Sequence, residues 1–102
     1  MKPIGLHNYF IYILTNKSKK VLYIGVTNDV KRRIYEHELD ANNNKETFAG
    51  KYNCIYLIYW ERFTYIDNAI AREKQLKGWN RSKKEKLINE LNPEWRFLNN
   101  EI

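Results

Sequence analysis

Five residues of this chain have types and spacings that suit anion binding and proton transfer. Glu73 is the first. In "IDNAIAREKQLKGW" the apolar residues Ile66, Ala69, Ile70 and Leu76 share one helical face, and Glu73 falls on it. A carboxylate turned toward a core costs free energy unless a cation or donor meets it. The alternative is a rim position, with Glu73 paired to Lys77 four residues on. Arg33 and His37 are the second feature, an i,i+4 pair projecting from one side of a helix. Arginine can hold a phosphate through two parallel hydrogen bonds. An ordinary solvated cation for Arg33, beside Lys31 and Arg32, and a packed histidine for His37 are the alternatives.

Tyr12 and Tyr23 lie in two apolar runs, "YFIYILT" and "VLYIGV". Strand tyrosines usually pack in a core. They can also send both hydroxyls to one end of a sheet, where a phenol relays or removes a proton if cations lower its pKa. The stretch 72–86, "REKQLKGWNRSKKEK", holds seven basic residues against Glu73 and Glu85. With Trp79 in its middle, it suits a nucleic-acid backbone with a base to stack, through Lys74, Lys77, Trp79, Arg81, Lys83 and Lys84. A solvated helix face with Trp79 anchoring a turn fits equally.

The elements that must position these residues can be read from periodicity. Residues 9–15 are aromatic and β-branched and form a buried strand. "NKSKK" is a turn, and 21–26 is the second strand; so short a gap makes an antiparallel hairpin. Thr27 or Asn28 caps a helix over 29–40, whose apolar stripe is Val30, Ile34 and Ala41 with His37 on the same line. Residues 41–53 are polar, without period, and read as a mobile surface loop. Residues 54–62 are a third strand. Thr64 with Asp67 forms a capping box for a second helix that Gly78 stops at Lys77. Ser82 with Glu85 forms another for a third helix, which Pro93 ends.

The expected fold is α/β: a small three-stranded, at least partly antiparallel sheet flanked by three helices, in the order β-β-α-β-α-α. One domain over 1–102, with its core at about 9–92, suits 102 residues that are 43% hydrophobic. The formal charge of +6 with 15% aromatic residues favours a polyanion partner. A single cysteine, Cys54, rules out an internal disulfide or a zinc cluster, and its apolar neighbours make it a buried small residue. No apolar run is long enough for a membrane span or a signal peptide, so no membrane partner and a cytoplasmic location are expected.

"FIY" at 10–12, "YIG" at 23–25, "GVTNDVKRRIYEH" and "AIAREKQLKGW" together resemble the motifs of the GIY-YIG nuclease superfamily, in order and spacing, over 9–92. The resemblance is strongest to its small stand-alone bacterial members. Phe10 stands where the signature has its first glycine. The resemblance implies a catalytic role for Tyr12, Tyr23, Arg33 and His37. It implies that Gly25 lets backbone approach the site. It implies that Glu73 holds a single divalent ion, Mg²⁺ or Mn²⁺. A late asparagine of the family has two candidates here, Asn89 and Asn92.

The activity this implies is metal-dependent endonucleolytic hydrolysis of phosphodiesters, in DNA ahead of RNA, in DNA repair or processing, with no required protein partner. The alternatives are a nucleic-acid binder of the same fold without significant catalysis, and a protein-interaction module that reuses the fold.

Overall fold

Alternation of side chains along β1 (Tyr9–Thr15) splits this strand between two cores. Ile11 and Ile13 face one side, and Tyr12 and Leu14 the other, all at 1% exposure or less. A strand buried on both faces must be central, and it is. In the computed structural model, which describes residues 8–42 and 51–102, the sheet order is β2-β1-β3. Both pairings, with β2 (Leu22–Thr27) and with β3 (Tyr56–Phe63), are antiparallel.

The hairpin turn is held by Asn16, whose Oδ1 accepts from the backbone N–H groups of Lys20 and Val21. Lys19 takes the left-handed conformation at φ 60°. On the other side of β1, a register shift between Ile13 and Leu14 skips Ile58. As a result Ile58 and Tyr59 join the same core, which strict alternation would forbid.

The first core, Ile11, Ile13, Ile24, Ile58 and Tyr59, is closed by Ala69 and Leu76 of helix α2 (Ile66–Lys77) and Ile88 of α3 (Arg81–Leu91). The second, Tyr12, Leu14, Cys54 and Leu57, is closed by Val30 and Ile34 of α1 (Val30–Asn42) and by Leu98. The molecule is thus three layers, with α1 on one face of the sheet and α2 and α3 on the other. The order β-β-α-β-α-α matches the expectation. Among the described residues no helix is long and apolar enough to cross a membrane. Cys54 is buried, as expected, and burial pushes its thiol up to about 11.

Local expectations are corrected at several ends. Asp29, not Thr27 or Asn28, caps α1: its carboxylate accepts from Arg32 N–H at 3.1 Å, while Thr27 Oγ1 holds the Asp29 N–H. That helix runs two residues past its expected end. The loop expected over 41–53 falls largely on residues 43–50, outside the described residues; Lys51 and Tyr52 are helical.

The Thr64–Asp67 capping box does not form. The N-cap is Tyr65, one residue later, which places Asp67 at the wrong spacing and leaves it only its favourable charge in the first turn. Ile66, at that helix start, is exposed rather than part of the apolar face. The Ser82–Glu85 box fails for the same reason: Asn80 is the N-cap, accepting from Lys83 N–H at 2.9 Å, and Glu85 pairs with Arg81 instead. Gly78 ends α2 at φ −78°, so no left-handed cap is involved.

The third strand begins at Tyr56 rather than Cys54. The backbone groups on either side of Tyr56 are taken by the carboxyl-terminal segment: Asn99 donates to the Ile55 carbonyl and accepts from Leu57 N–H.

Candidate active site

Tyr12 sits at the centre of β1, opposite Gly25 of β2 and Trp60 of β3. Its side chain points to the α1 face and is 1% exposed. Across the layer boundary comes His37, on the buried stripe of α1. Tyr12 Oη lies 3.2 Å from His37 Nε2, and His37 is 2% exposed. Tyr23, on the same face of β2, completes a ring cluster: its centroid is 5.1 Å from that of His37 and 6.2 Å from that of Tyr12.

Gly25 makes this packing possible. A Cβ built there would overlap the Tyr12 hydroxyl and stand 2.5 Å from Cζ. The glycine therefore makes room for a side chain, where the resemblance implied an approach of backbone.

One turn before His37, Arg33 is half-buried and acts on both phenols. Burial alone would lower its pKa, but Tyr12 and Tyr23 outweigh that and raise it. Its Nη1 is 3.6 Å from Glu36 Oε1. Of the three consecutive cations only Arg33 reaches the tyrosines. Arg32 bonds Asn28 and Glu36, and Lys31 borders an apolar hollow with Phe10 and Trp60.

The electrostatics follow from this crowding. Burial, and then Tyr23, push the Tyr12 phenol well above its ordinary value, with Arg33 working the other way. Burial, and then Arg33, pull His37 down to about 4, against smaller opposite effects of Asp40 and Glu36. His37 is therefore neutral at neutral pH, and its tautomer sets which group donates across the contact with the phenol. Its Nδ1 is buried with no hydrogen-bond partner among the described residues.

Glu73 belongs to the other layer. It projects from α2, with its side chain 17% exposed and Lys77 Nζ 3.6 Å from Oε1. The pairing with Lys77 that the sequence offered as an alternative is present. Its partner Lys77 reaches the edge strand β2, which also carries Tyr23. There a cleft of about 290 Å³ is lined by Leu22, Tyr23 and Ile24 of β2, with Lys77 and Lys84.

The donor chemistry fits a single hard divalent ion. Glu73 is one largely covered carboxylate, and the Lys77 ammonium already occupies the place of a cation on it. Among the described residues no cluster of three metal-ligating side chains exists. Mg²⁺ needs none, since it binds through one or two carboxylates, waters and substrate phosphate.

The basic stretch divides. Lys74 is exposed, and Lys77 and Lys84 border the cleft. Lys83 Nζ lies 4.4 Å from the Trp79 centroid and the Arg72 guanidinium 5.3 Å from it, so the ring is half-buried and engaged by two cations. Arg81 clamps the hairpin turn, donating to the carbonyls of Lys20 at 2.7 Å and Lys19 at 3.1 Å. Neither asparagine candidate is at the cluster: Asn92 ties down the carboxyl-terminal segment, and Asn89 accepts from Trp95 Nε1.

A second network escaped sequence reasoning. Arg72 grips both oxygens of Glu61, and Tyr59 donates to the same carboxylate, fixing α2 to β3. The only signal was a glutamate at the end of an apolar strand.

Residues 8–86 match the family described as the GIY-YIG catalytic domain. The chain belongs to the GIY-YIG family. Among similar proteins, a UPF0213 protein of Natronomonas pharaonis is 33% identical over 81 residues, spanning 79% of this chain and 91% of that protein. A UPF0213 protein of Staphylococcus saprophyticus is 32% identical over 85 residues, 83% of this chain and 99% of its own. The fold also matches the solution NMR structure of a UPF0213 protein from Bacillus halodurans, with a TM-score of 0.55 and 28% identity over 86% of this chain and 89% of that one. The family is a nuclease superfamily, and its substrate class is nucleic acid.

Proposed function

We propose that this protein is a metal-dependent endonuclease that hydrolyses phosphodiester bonds in DNA, with RNA as the second substrate class, and that it serves DNA repair or processing. The observation that carries the reading is the 3.2 Å contact between Tyr12 Oη and neutral His37 Nε2, with Arg33 alongside.

The raised pKa of Tyr12 opposes a standing phenolate. A relay avoids one. The attacking water gives its proton to Tyr12 Oη as Tyr12 gives its own to His37 Nε2, so no charge rests on the phenol. This needs His37 in the tautomer that carries its proton on Nδ1. Arg33 holds the phosphate and stabilises the charge that grows on its oxygens. A phosphate placed on Arg33 also offsets the positive charge that depresses His37, and so makes His37 a better acceptor when substrate is bound. Tyr23 flanks both groups and closes the cluster toward the β2 cleft. Glu73 would hold the divalent ion, whose chemistry is neutralisation of the phosphate and the leaving oxygen.

The test is a cleavage panel of single-stranded, duplex, flap and junction DNA, with matching RNA, in Mg²⁺ or Mn²⁺. Tyr12→Phe, Arg33→Ala and Glu73→Gln should each lose metal-dependent cleavage by about 100-fold or more while keeping the fold. Wild-type rates in Arg33→Ala and Glu73→Gln would overturn the reading. Salt-sensitive binding without cleavage of any substrate would establish the binder instead.

A further inference from the structure

Lys77 belongs to two features at once. It is the ammonium paired with Glu73, and it is a wall of the β2 cleft with Lys84. The two ends of the pair are unequal: the Glu73 side chain is 17% exposed and that of Lys77 is 54% exposed. The carboxylate is therefore largely covered and the ammonium is not. Lysine carries its charge on a flexible four-carbon stem, and it binds phosphate as a point charge.

The cleft offers Lys77 a second position. Lys84, half-buried on α3, supplies another ammonium there, and the edge-strand residues Leu22, Tyr23 and Ile24 complete the wall. Paired cations beside an apolar and aromatic surface suit a nucleotide, with its phosphate on the lysines and its sugar or base against the strand. A divalent ion and an ammonium cannot share one carboxylate without like-charge repulsion.

We propose that Lys77 is an exchangeable counter-ion: it neutralises Glu73 in the metal-free protein, and a divalent ion on Glu73 releases it to join Lys84 on a phosphate of the strand passing Tyr23. The inference rests on the reading of Glu73 as the metal-holding carboxylate. It adds a phosphate subsite away from Arg33, and it couples that subsite to the metal. By linkage, metal and strand then strengthen each other's binding through Lys77.

Two measurements test it without reference to cleavage. The first is titration of Mn²⁺ alone into the protein by calorimetry. Lys77→Met, which has no ammonium to displace, should bind Mn²⁺ about three- to fivefold tighter than wild type, the size of a partly exposed ion pair. Glu73→Gln should not bind it.

The second is binding of a short fluorescent single-stranded DNA in EDTA at low salt, as a cycle of Glu73→Gln and Lys77→Met. Glu73→Gln frees Lys77 and should tighten binding about three- to fivefold. In the Lys77→Met background the same substitution should change binding less than about twofold. An additive cycle, with Mn²⁺ bound equally by wild type and Lys77→Met, overturns the exchange and leaves Glu73 as the metal carboxylate. A wild type that binds no Mn²⁺ at Glu73 overturns both.

Discussion

Tyr12 and Gly25 are cross-strand partners, and the Tyr12 hydroxyl occupies the space a Cβ on Gly25 would fill. The ring is 1% exposed and pinned by His37, so it cannot swing clear. Gly25→Ala should therefore destabilise the fold by about 2 kcal/mol through overpacking. It should also displace the hydroxyl and cost most of the cleavage activity. A double-mutant cycle separates this from a general loss of strand order. In a Tyr12→Ala background the space is empty, and Gly25→Ala should then cost less than about 0.5 kcal/mol in urea melts. An equal cost in both backgrounds would show that the glycine is needed for its backbone instead.

His37 gives the protein a pH signature. Its native pKa is about 4 against 6.5 in the unfolded chain. Between those values the unfolded state binds the proton and the native state does not, so stability rises with pH across that window. The contribution is complete above 6.5 and is lost as pH falls toward 4, about 3 kcal/mol in all and about 2 kcal/mol by pH 5. Urea melts at pH 7, 6 and 5 on wild type and His37→Gln check this. The variant should lack that part of the slope. If its slope equals the wild type's, carboxylates carry the acid sensitivity.

Much of this was legible in the sequence because it depends on period. Strand alternation and the i,i+4 spacing of Arg33 and His37 fix which side chains share a face, whatever lies beyond. The hairpin, the element order and the buried line Val30–Ile34–His37 followed. What failed depended on single residues at ends. Two capping boxes had the right letters, but Tyr65 and Asn80 took the N-cap positions and shifted the frame by one or two residues. What was invisible depended on contacts far apart in sequence. No local pattern says that Gly25 faces the Tyr12 ring, that Arg72 of α2 reaches Glu61 of β3, or that Asn99 pairs with the backbone at Ile55 and Leu57.

The Arg72–Glu61 grip, with both side chains 23% exposed, should matter for stability more than a surface ion pair does. Arg72 donates from Nε and Nη2 to Glu61 at 3.0–3.3 Å, donates from Nη1 to Gln75 at 2.7 Å, and lies over Trp79. Burial first, and then the bond to Glu61, hold the Tyr59 phenol above its ordinary value and protonated, able to donate. Arg72→Ala leaves a partly covered carboxylate short of its counter-ion and should cost about 2 kcal/mol. Arg72→Lys should recover less than half of this, because an ammonium cannot make the two-pronged contact. Thermal melts of the two variants decide it; full recovery by lysine would reduce the grip to simple charge pairing.

Asn92 is the asparagine whose position invites a catalytic role and whose bonds argue against one. It is 4% exposed at the end of α3. Its Nδ2 donates to the carbonyls of Ile58 at 3.0 Å and Arg96 at 2.9 Å, and its Oδ1 accepts from Arg96 N–H at 3.0 Å. Every side-chain polar atom is thus spent on folding the carboxyl-terminal segment back against β3. Asn92→Ala should cost about 2–3 kcal/mol, the cost of stranding buried carbonyls. Asn92→Asp should cost at least as much, because it turns a second acceptor toward two carbonyl oxygens. Cleavage per folded molecule should stay within about threefold of wild type in both, since uniform loss of stability leaves the transition state untouched. Calorimetric melts together with cleavage rates, measured well below the melting temperature, check both parts. A fall of about 100-fold in rate with the fold intact would place Asn92 in the chemistry.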